Sequence, residues 1–342
     1  MKKKIIGLLA IVVLGIAGFS AFRLFGPAVQ TPSGEFLYIP ADSNMDSLRT
    51  TLTGKHFIDG TAWFDRAASL LRFRNVKPGR YKLTKGMSVY ALVKMLRSGN
   101  QQPVSFVVIK IRTKEDLARR AGAAFECDSA SMIAFLNNND SLRSYGLDSN
   151  TVMAAVMPYT YSINWNSSPG RIFRQFYTSY KTFWNEERTK KAAAMNMTPL
   201  QVMTLASVVE EETNRKDDKY NIASVYLNRL KTDMPMQACP TVKFALKNFG
   251  LKRVLQVHTQ TPSPFNTYIH RGLPPGPICT PSVESIDAVL DAPQTQYLYF
   301  VASSNFDGST VFTTNLDDHN KYAHIYQKAL DHRMDSVNKI KK

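Results

Sequence analysis

Eighteen consecutive residues without a charge, Ile5 to Phe22, follow Lys2, Lys3 and Lys4 and end at Arg23. As a helix this run covers roughly 27 Å, close to the hydrocarbon thickness of a bilayer. A helix that is apolar on every side has no solvent face, so the segment predicts a transmembrane helix. The competing reading is a cleaved export signal, and Phe19, Ser20 and Ala21 fit the small-residue cleavage pattern poorly. The leading lysines orient the helix with its amino terminus in the cytoplasm and everything after Phe22 outside. The expectation is a single-pass protein of the cytoplasmic (inner) membrane whose folded part faces a periplasm-like space.

Charge narrows the partners. There are 43 Lys and Arg against 27 Asp and Glu, a net +16, which favours anionic surfaces. Outside the membrane, and without zinc-ligand cysteine pairs or an aromatic RNA-binding signature, nucleic acid is not expected. Acidic membrane lipid and acidic cell-wall polymer remain.

Residues 1–26 read as the Lys-rich end and anchor, and PAVQTPSG, residues 27–34, as a linker. A small unit over 35–112 follows, with strands at FLYIP and GRYKL, short helices at MDSLRTTL and TAWFDRAASLLRF, and a strand at VSFVVIKI (Val104 to Ile111). Within it Val89, Leu92, Val93 and Leu96 fall at i, i+3, i+4 and i+7, with Ser88 as N-cap and Gly99 as stop. A connecting region spans 113–150 and ends in the polar run NNNDSLRSYGLDSN. A larger α+β unit takes 151–330, and 331–342 is a polar, basic tail. One helix is expected from Ser168 or Pro169 to about Ala194, and Thr198 with Pro199 should open the next.

That next helix carries LASVVEEETNRKD, Leu205 to Asp217, where an apolar face runs into three carboxylates. On a helical wheel Glu210 falls inside the apolar arc between Ala206 and Met203, Glu211 points to the opposite, solvent side, and Glu212 lies at the other margin. A carboxyl held against apolar neighbours has a raised pKa and can act as a general acid. Periodicity alone leaves open a plain polar helix end in which Glu210 pairs with Arg or Lys.

LASVVEEET, NIASVYLNRL, MPMQACPTVKFAL, PFNTYIHRGLPPGPICTPSVESI and YLYFVASSNFDGSTVFTTNLDDHNKY, in that order, resemble the YceG-like (MltG-type) endolytic murein transglycosylases, and GRYKLTKGMSVYALVKMLRSG resembles their LysM-like subdomain. The resemblance implies a single N-terminal transmembrane helix, a small LysM-like glycan-binding domain and a larger mixed α+β catalytic domain. It also implies a lyase that cuts between N-acetylmuramic acid and N-acetylglucosamine within nascent strands, leaving 1,6-anhydromuramyl ends. No cofactor or metal is implied. The partners would be peptidoglycan strands and, through the anchor, membrane lipid, with cell-wall synthesis proteins a further class. By position the catalytic glutamate falls on Glu210, and Glu212, Asn228, Gln237, Thr241, Asn266, Tyr268 and His319 are the substrate-binding candidates. GLPPGPI is expected to shape a cleft wall. The alternatives are a non-catalytic wall-binding scaffold and a hydrolase on the same scaffold.

The chain departs from the family pattern at Cys239, where Asp is usual, at Phe244, where Tyr is common, and at MAAVMPYTYSI, which lacks a glutamate. Cys239 and Cys279 both lie in motifs expected to flank one cleft. A bridge between them, with Cys127 a buried thiol, is therefore the expected pairing of the three cysteines.

Overall fold

The computed structural model describes residues 2–32 and 34–340. Met1 of the predicted anchor, Ser33 of the predicted linker, and Lys341 and Lys342 of the predicted tail lie outside the described residues. The chain divides into two compact units: one takes residues up to 106 with 122–127 and 162–168, the other 107–121, 128–161 and 169 onward.

In the first unit α1 (Lys2–Phe25) contains a stretch, Lys3–Phe25, long and apolar enough to cross a membrane, and that stretch is not buried in the protein. The residues after it are not a loose linker. Val29 has no exposed surface, its N–H donates to Met87 O (2.9 Å), and the Gln30 N–H donates to Phe57 O (2.9 Å). Val29 is apolar and completes the core, which overrides the linker-like composition around it. β1 (Phe36–Ile39) precedes α2 (Met45–Gly54) and α3 (Ala62–Leu70), and pairs antiparallel with β2 (Gly79–Lys82). Leu37, Ile39 and Tyr81 turn into the core. α4 (Val89–Ser98) forms as its spacing predicts: Ser88 Oγ accepts from Ala91 N–H, Gly99 ends the helix at φ 74°, and Val89, Leu92, Val93 and Leu96 are buried. Each such burial is worth roughly 1.5–3 kcal/mol.

β3 (Val104–Val107), shorter than the expected strand, pairs with β4 (Thr160–Ile163). Beyond β3 the extended chain turns to another partner. Ile111 N–H donates to Thr280 Oγ1 (2.9 Å), and Thr280 N–H donates back to Ile111 O (2.8 Å). The segment 107–112 thus belongs to the second unit and brings Lys110 and Arg112 with it. α5 (Lys114–Ala124), α6 (Ser129–Asn137) and α7 (Asn139–Arg143) follow, the last within the polar run read as a connection, and a 3-10 turn spans Val152–Ala155.

The single helix expected from 168 to about Ala194 is two, α8 (Pro169–Phe183) and α9 (Glu186–Ala194). Asn185 interrupts them: it takes an extended conformation, and its side chain accepts from Arg188 N–H (2.9 Å) to cap α9. α10 (Pro199–Glu212) begins with the predicted cap, Thr198 accepting from Gln201 N–H. Every residue from Val202 to Val209 is buried, so α10 is a central helix enclosed on all sides. Around it come α11 (Lys216–Lys231), α12 (Cys239–Ala245), the short α13 (Gln256–Thr259) and α14 (Val283–Leu290), with α11, α12 and α14 packed directly on α10. β5 (Tyr299–Ala302) and β6 (Thr310–Thr313) form an antiparallel hairpin, and α15 (Leu316–Ile340) continues into the predicted basic tail.

Candidate active site

The carboxylates of Glu210, Glu211 and Glu212 occupy the last turn of α10, which has no basic residue of its own. Negative charge there opposes the helix dipole, so the cations that make it tolerable must come from elsewhere in the fold. They come from the segment after β3 and from α11.

Glu210 has a side chain 12% exposed. Its Oε2 accepts from Ser282 Oγ (2.6 Å), Ser285 Oγ (2.5 Å), Lys219 Nζ (3.3 Å) and Ser282 N (3.4 Å). Ser282 is the N-cap of α14 and Ser285 lies in its first turn, so this oxygen also meets the positive end of that helix. The nearest cation to Oε1 is Lys110 Nζ at 3.9 Å. Burial alone would raise the Glu210 pKa, but the two serine hydroxyls and the Lys219 and Lys110 ammonium groups more than offset it and hold the carboxyl below its ordinary range. The expectation of an apolar, protonated resting glutamate is therefore corrected: Glu210 rests as a carboxylate.

Glu211 is not on a solvent face either. Its side chain is 14% exposed, gripped by Arg112 through two 3.0 Å hydrogen bonds and by Lys110 at 3.1 Å. A wheel ranks directions about one helix axis and carries no knowledge of a segment that approaches from far along the chain. The carboxyl with the raised pKa is Glu212: burial pushes it up to about 7, against which the Tyr226 hydroxyl donates to it at 2.6 Å. A carboxyl that keeps its proton in the fold above the unfolded value of 4.5 loses stability as pH rises from 4.5 to about 7. With partial exposure allowed for, Glu212→Gln should remove a loss on the order of 2 kcal/mol across that interval. Urea unfolding of both proteins at pH 5 and pH 8 measures it, and a constant difference between them would contradict this assignment.

These groups line a cleft of about 550 Å³ together with Arg215, Lys243, Phe244 and Phe249. Its lining mixes basic and aromatic side chains, and Arg112 lies over the Phe249 ring at 5.1 Å.

Residues 37–324 match the YceG-like family. The chain belongs to that family. The endolytic murein transglycosylase of Bacillus subtilis (strain 168) is 29% identical over 308 residues, covering 84% of this chain and 83% of that one. The protein of the same name from Streptococcus pneumoniae (strain D39) is 27% identical over 322 residues, and the match covers 83% of this chain but 56% of that longer relative. The crystal structure of a YceG-like protein from Listeria monocytogenes superposes with a TM-score of 0.56 at 26% identity, covering 84% of this chain and 97% of that one.

In this YceG-like chain, Glu210 and Glu212 line the cleft, and the other sequence candidates lie outside its lining. Thr241 and Asn266 have no exposed surface. Asn266 Nδ2 donates to Thr259 O and Thr261 O (both 2.9 Å), Asn228 Nδ2 donates to Thr295 O (2.9 Å) and Tyr297 O (3.0 Å), and the Thr241 hydroxyl donates to Ala238 O (2.7 Å). These groups brace loops with hydrogen bonds that a sugar would otherwise take. Gln237 is exposed at φ 51°, and Tyr268 pairs its hydroxyl with Cys239 Sγ at 3.2 Å. His319 stacks on Tyr299 at 5.3 Å, its Nδ1 buried without a hydrogen-bond partner among the described residues, and burial, then Arg229, hold its pKa below the usual range.

The expected bridge between Cys239 and Cys279 is absent. Cys279 is buried with its Sγ 3.4 Å from Ser207 O, while Cys239 faces Tyr268, so each thiol has its own partner. Cys127 is half-buried, not buried. Lys110, Arg112, Lys219, Ser282 and Ser285 were missed in the sequence. Their signal was the uncompensated acidic end of α10, together with the helix-opening spacing of Ser282 and Ser285 in SVESI.

Proposed function

We propose that this chain is an endolytic lytic transglycosylase of peptidoglycan that cleaves the bond between N-acetylmuramic acid and N-acetylglucosamine within strands and leaves 1,6-anhydromuramyl ends. The observation that carries the chemistry is the asymmetry of the Glu210 carboxylate. Oε2 is taken up by four donors, so the proton that does the work sits on Oε1, toward the cleft. Strand binding strips water from the carboxylate and favours its protonated form. Glu210 then gives the Oε1 proton to the glycosidic oxygen as the C1–O bond breaks, and takes a proton back from the sugar's C6 hydroxyl as that oxygen closes on C1. The glutamate ends as it began, protonated, and no water is consumed. One carboxyl acting twice makes a second carboxylate at glycosidase spacing unnecessary.

Lys110, Arg112, Arg215 and Lys243 suit the carboxylates of muropeptide stems, and Phe244 and Phe249 suit sugar faces. Glu212, held by the Tyr226 hydroxyl, lines the cleft. Asn228, Gln237, Thr241, Asn266, Tyr268 and His319 support it rather than touch sugar. Residues 35–112 supply a LysM-like glycan grip, and α1 crosses the cytoplasmic membrane with the rest of the chain outside. A truncation that tests the grip has to end before Val107, because Lys110 and Arg112 belong to the cleft. A scaffold without activity is disfavoured by the intact carboxylate cage, and a hydrolase by the close relatives' shared name.

Mass spectrometry of products from purified sacculi tests this reading. Anhydro ends are expected, whereas reducing muramyl ends, or intact strands, would reject it. Lys219 offers a finer test. As a general acid Glu210 loses activity when pH rises through its pKa, and Lys219 lowers that pKa. Lys219→Met should move the descending limb of kcat/KM to higher pH. An unmoved limb would show that the proton comes from another group.

A further inference from the structure

A second hollow of about 440 Å³ opens beside the cleft and shares Glu212, Thr213 and Gly308 with it. Its floor is Phe300, and its walls carry Phe306, Tyr326, Ser303 and Ser309. The Phe306 and Tyr326 rings lie 5.7 Å apart, and Arg333 sits 4.9 Å over Phe306. Phe306 adopts φ 56°, a left-handed conformation that costs an aromatic residue roughly a kcal/mol or more. Strain of this kind survives where the surrounding structure needs the side chain in one place. The conformation fixes the ring at the rim of the hollow.

We propose that this hollow is a second saccharide subsite, holding the N-acetylated sugars of the same strand beyond the pair being cut. The proposal rests on the lytic reading above, since an internal cut requires strand on both sides of the scissile bond. Three observations select this occupant. The hollow adjoins the cleft, with Glu212, Thr213 and Gly308 lining both, so a polymer running past Glu210 meets it next. Two aromatic rings at its wall suit the C–H faces of pyranose rings. The Ser303 hydroxyl, which accepts from Asn305 N–H, keeps its own proton to donate, and the Ser309 hydroxyl, which donates to Asp307, still accepts, so both signs of hydrogen bond are on offer to hydroxyl and acetamido groups. The floor is also wired to the chemistry: Phe300 packs edge-on against Tyr226 at 5.9 Å, and Tyr226 donates to Glu212. A sugar seated on Phe300 therefore presses on the residue that orients Glu212.

The test uses the full chain and glycan strands fractionated by length. Phe306→Ala and Tyr326→Ala should each raise KM for strands of eight disaccharides about tenfold more than KM for a tetrasaccharide, with Tyr326→Phe restoring the wild-type ratio. Binding of the same fractions to the Glu210→Gln chain, which does not depend on turnover, should lose its length dependence in the double variant Glu210→Gln/Phe306→Ala. Equal effects on long and short strands, or no effect on either in both assays, would overturn the subsite. Wild-type protein that yields no anhydro ends would overturn the lytic reading instead, and the binding assay would still decide the subsite.

Discussion

Glu210→Gln is expected to abolish the release of anhydromuropeptides from sacculi, with kcat down at least 10²- to 10⁴-fold, the usual contribution of a general acid. The amide fits the cage: its carbonyl oxygen can stay where Oε2 accepts from Ser282, Ser285 and Lys219, leaving the NH2 at the Oε1 position. Shape is kept, but the negative charge that pairs with Lys219 and Lys110 is lost along with the transferable proton, so strand binding should stay near wild type while the melting temperature falls by a few degrees. Glu211 is no neutral neighbour for comparison, because its loss releases Arg112 and Lys110 from a nearly closed ion-pair cluster. If Glu210→Gln cuts sacculi at the wild-type rate, the assignment of the acid is wrong whatever the fold.

The largest stability effect is expected at Gly276. A Cβ there would lie 2.1 Å from Asn150 O and 2.8 Å from Asn150 C, backbone atoms that cannot swing aside. Gly276→Ala should cost about 3 kcal/mol or more, or a fall in melting temperature of roughly 6–12 °C for a unit of this size. The damage should reach the site as well. Two residues on, Ile278 N–H donates to Ser207 Oγ in α10, and Thr280 exchanges bonds with Ile111, so this turn ties the central helix to the segment bearing Lys110 and Arg112. Gly272 makes a fair control: it has open space around it and only a positive φ of 80°, so Gly272→Ala should cost roughly 1–2 kcal/mol. Equal melting curves for the two variants would contradict the clash.

What could be read in advance was local. Ser88 and Gly99 around α4, and Thr198 with Pro199 before α10, are chemical signals that act within a few residues, and they appear where expected. Asn185 is the same kind of signal, but a run of aromatic residues at helical spacing hid it and α8 and α9 were read as one. That Glu210 turns into the fold was legible from its place in the apolar arc of the wheel. The sign of its pKa shift was not, because that depends on Ser282, Ser285 and Lys110, which reach it from distant parts of the chain. Asn228 and Asn266 depend on the fold in the same way. An amide that can bind sugar can equally bind loop carbonyls, and only the fold decides which it meets.

The joint between α1 and the first unit has a mechanical meaning. Phe19 abuts Trp63 at 5.9 Å, Phe25 abuts Tyr90 at 4.9 Å, Gly26 N–H still donates to Phe22 O, and Val29 is already in the core. With α1 set in a bilayer, the first unit is stepped on it like a mast on a keel, not moored by a rope. Its height and heading are then those of the lipid beneath it. Such a unit does not swing on a slack tether: it keeps the distance from that surface which α1 sets.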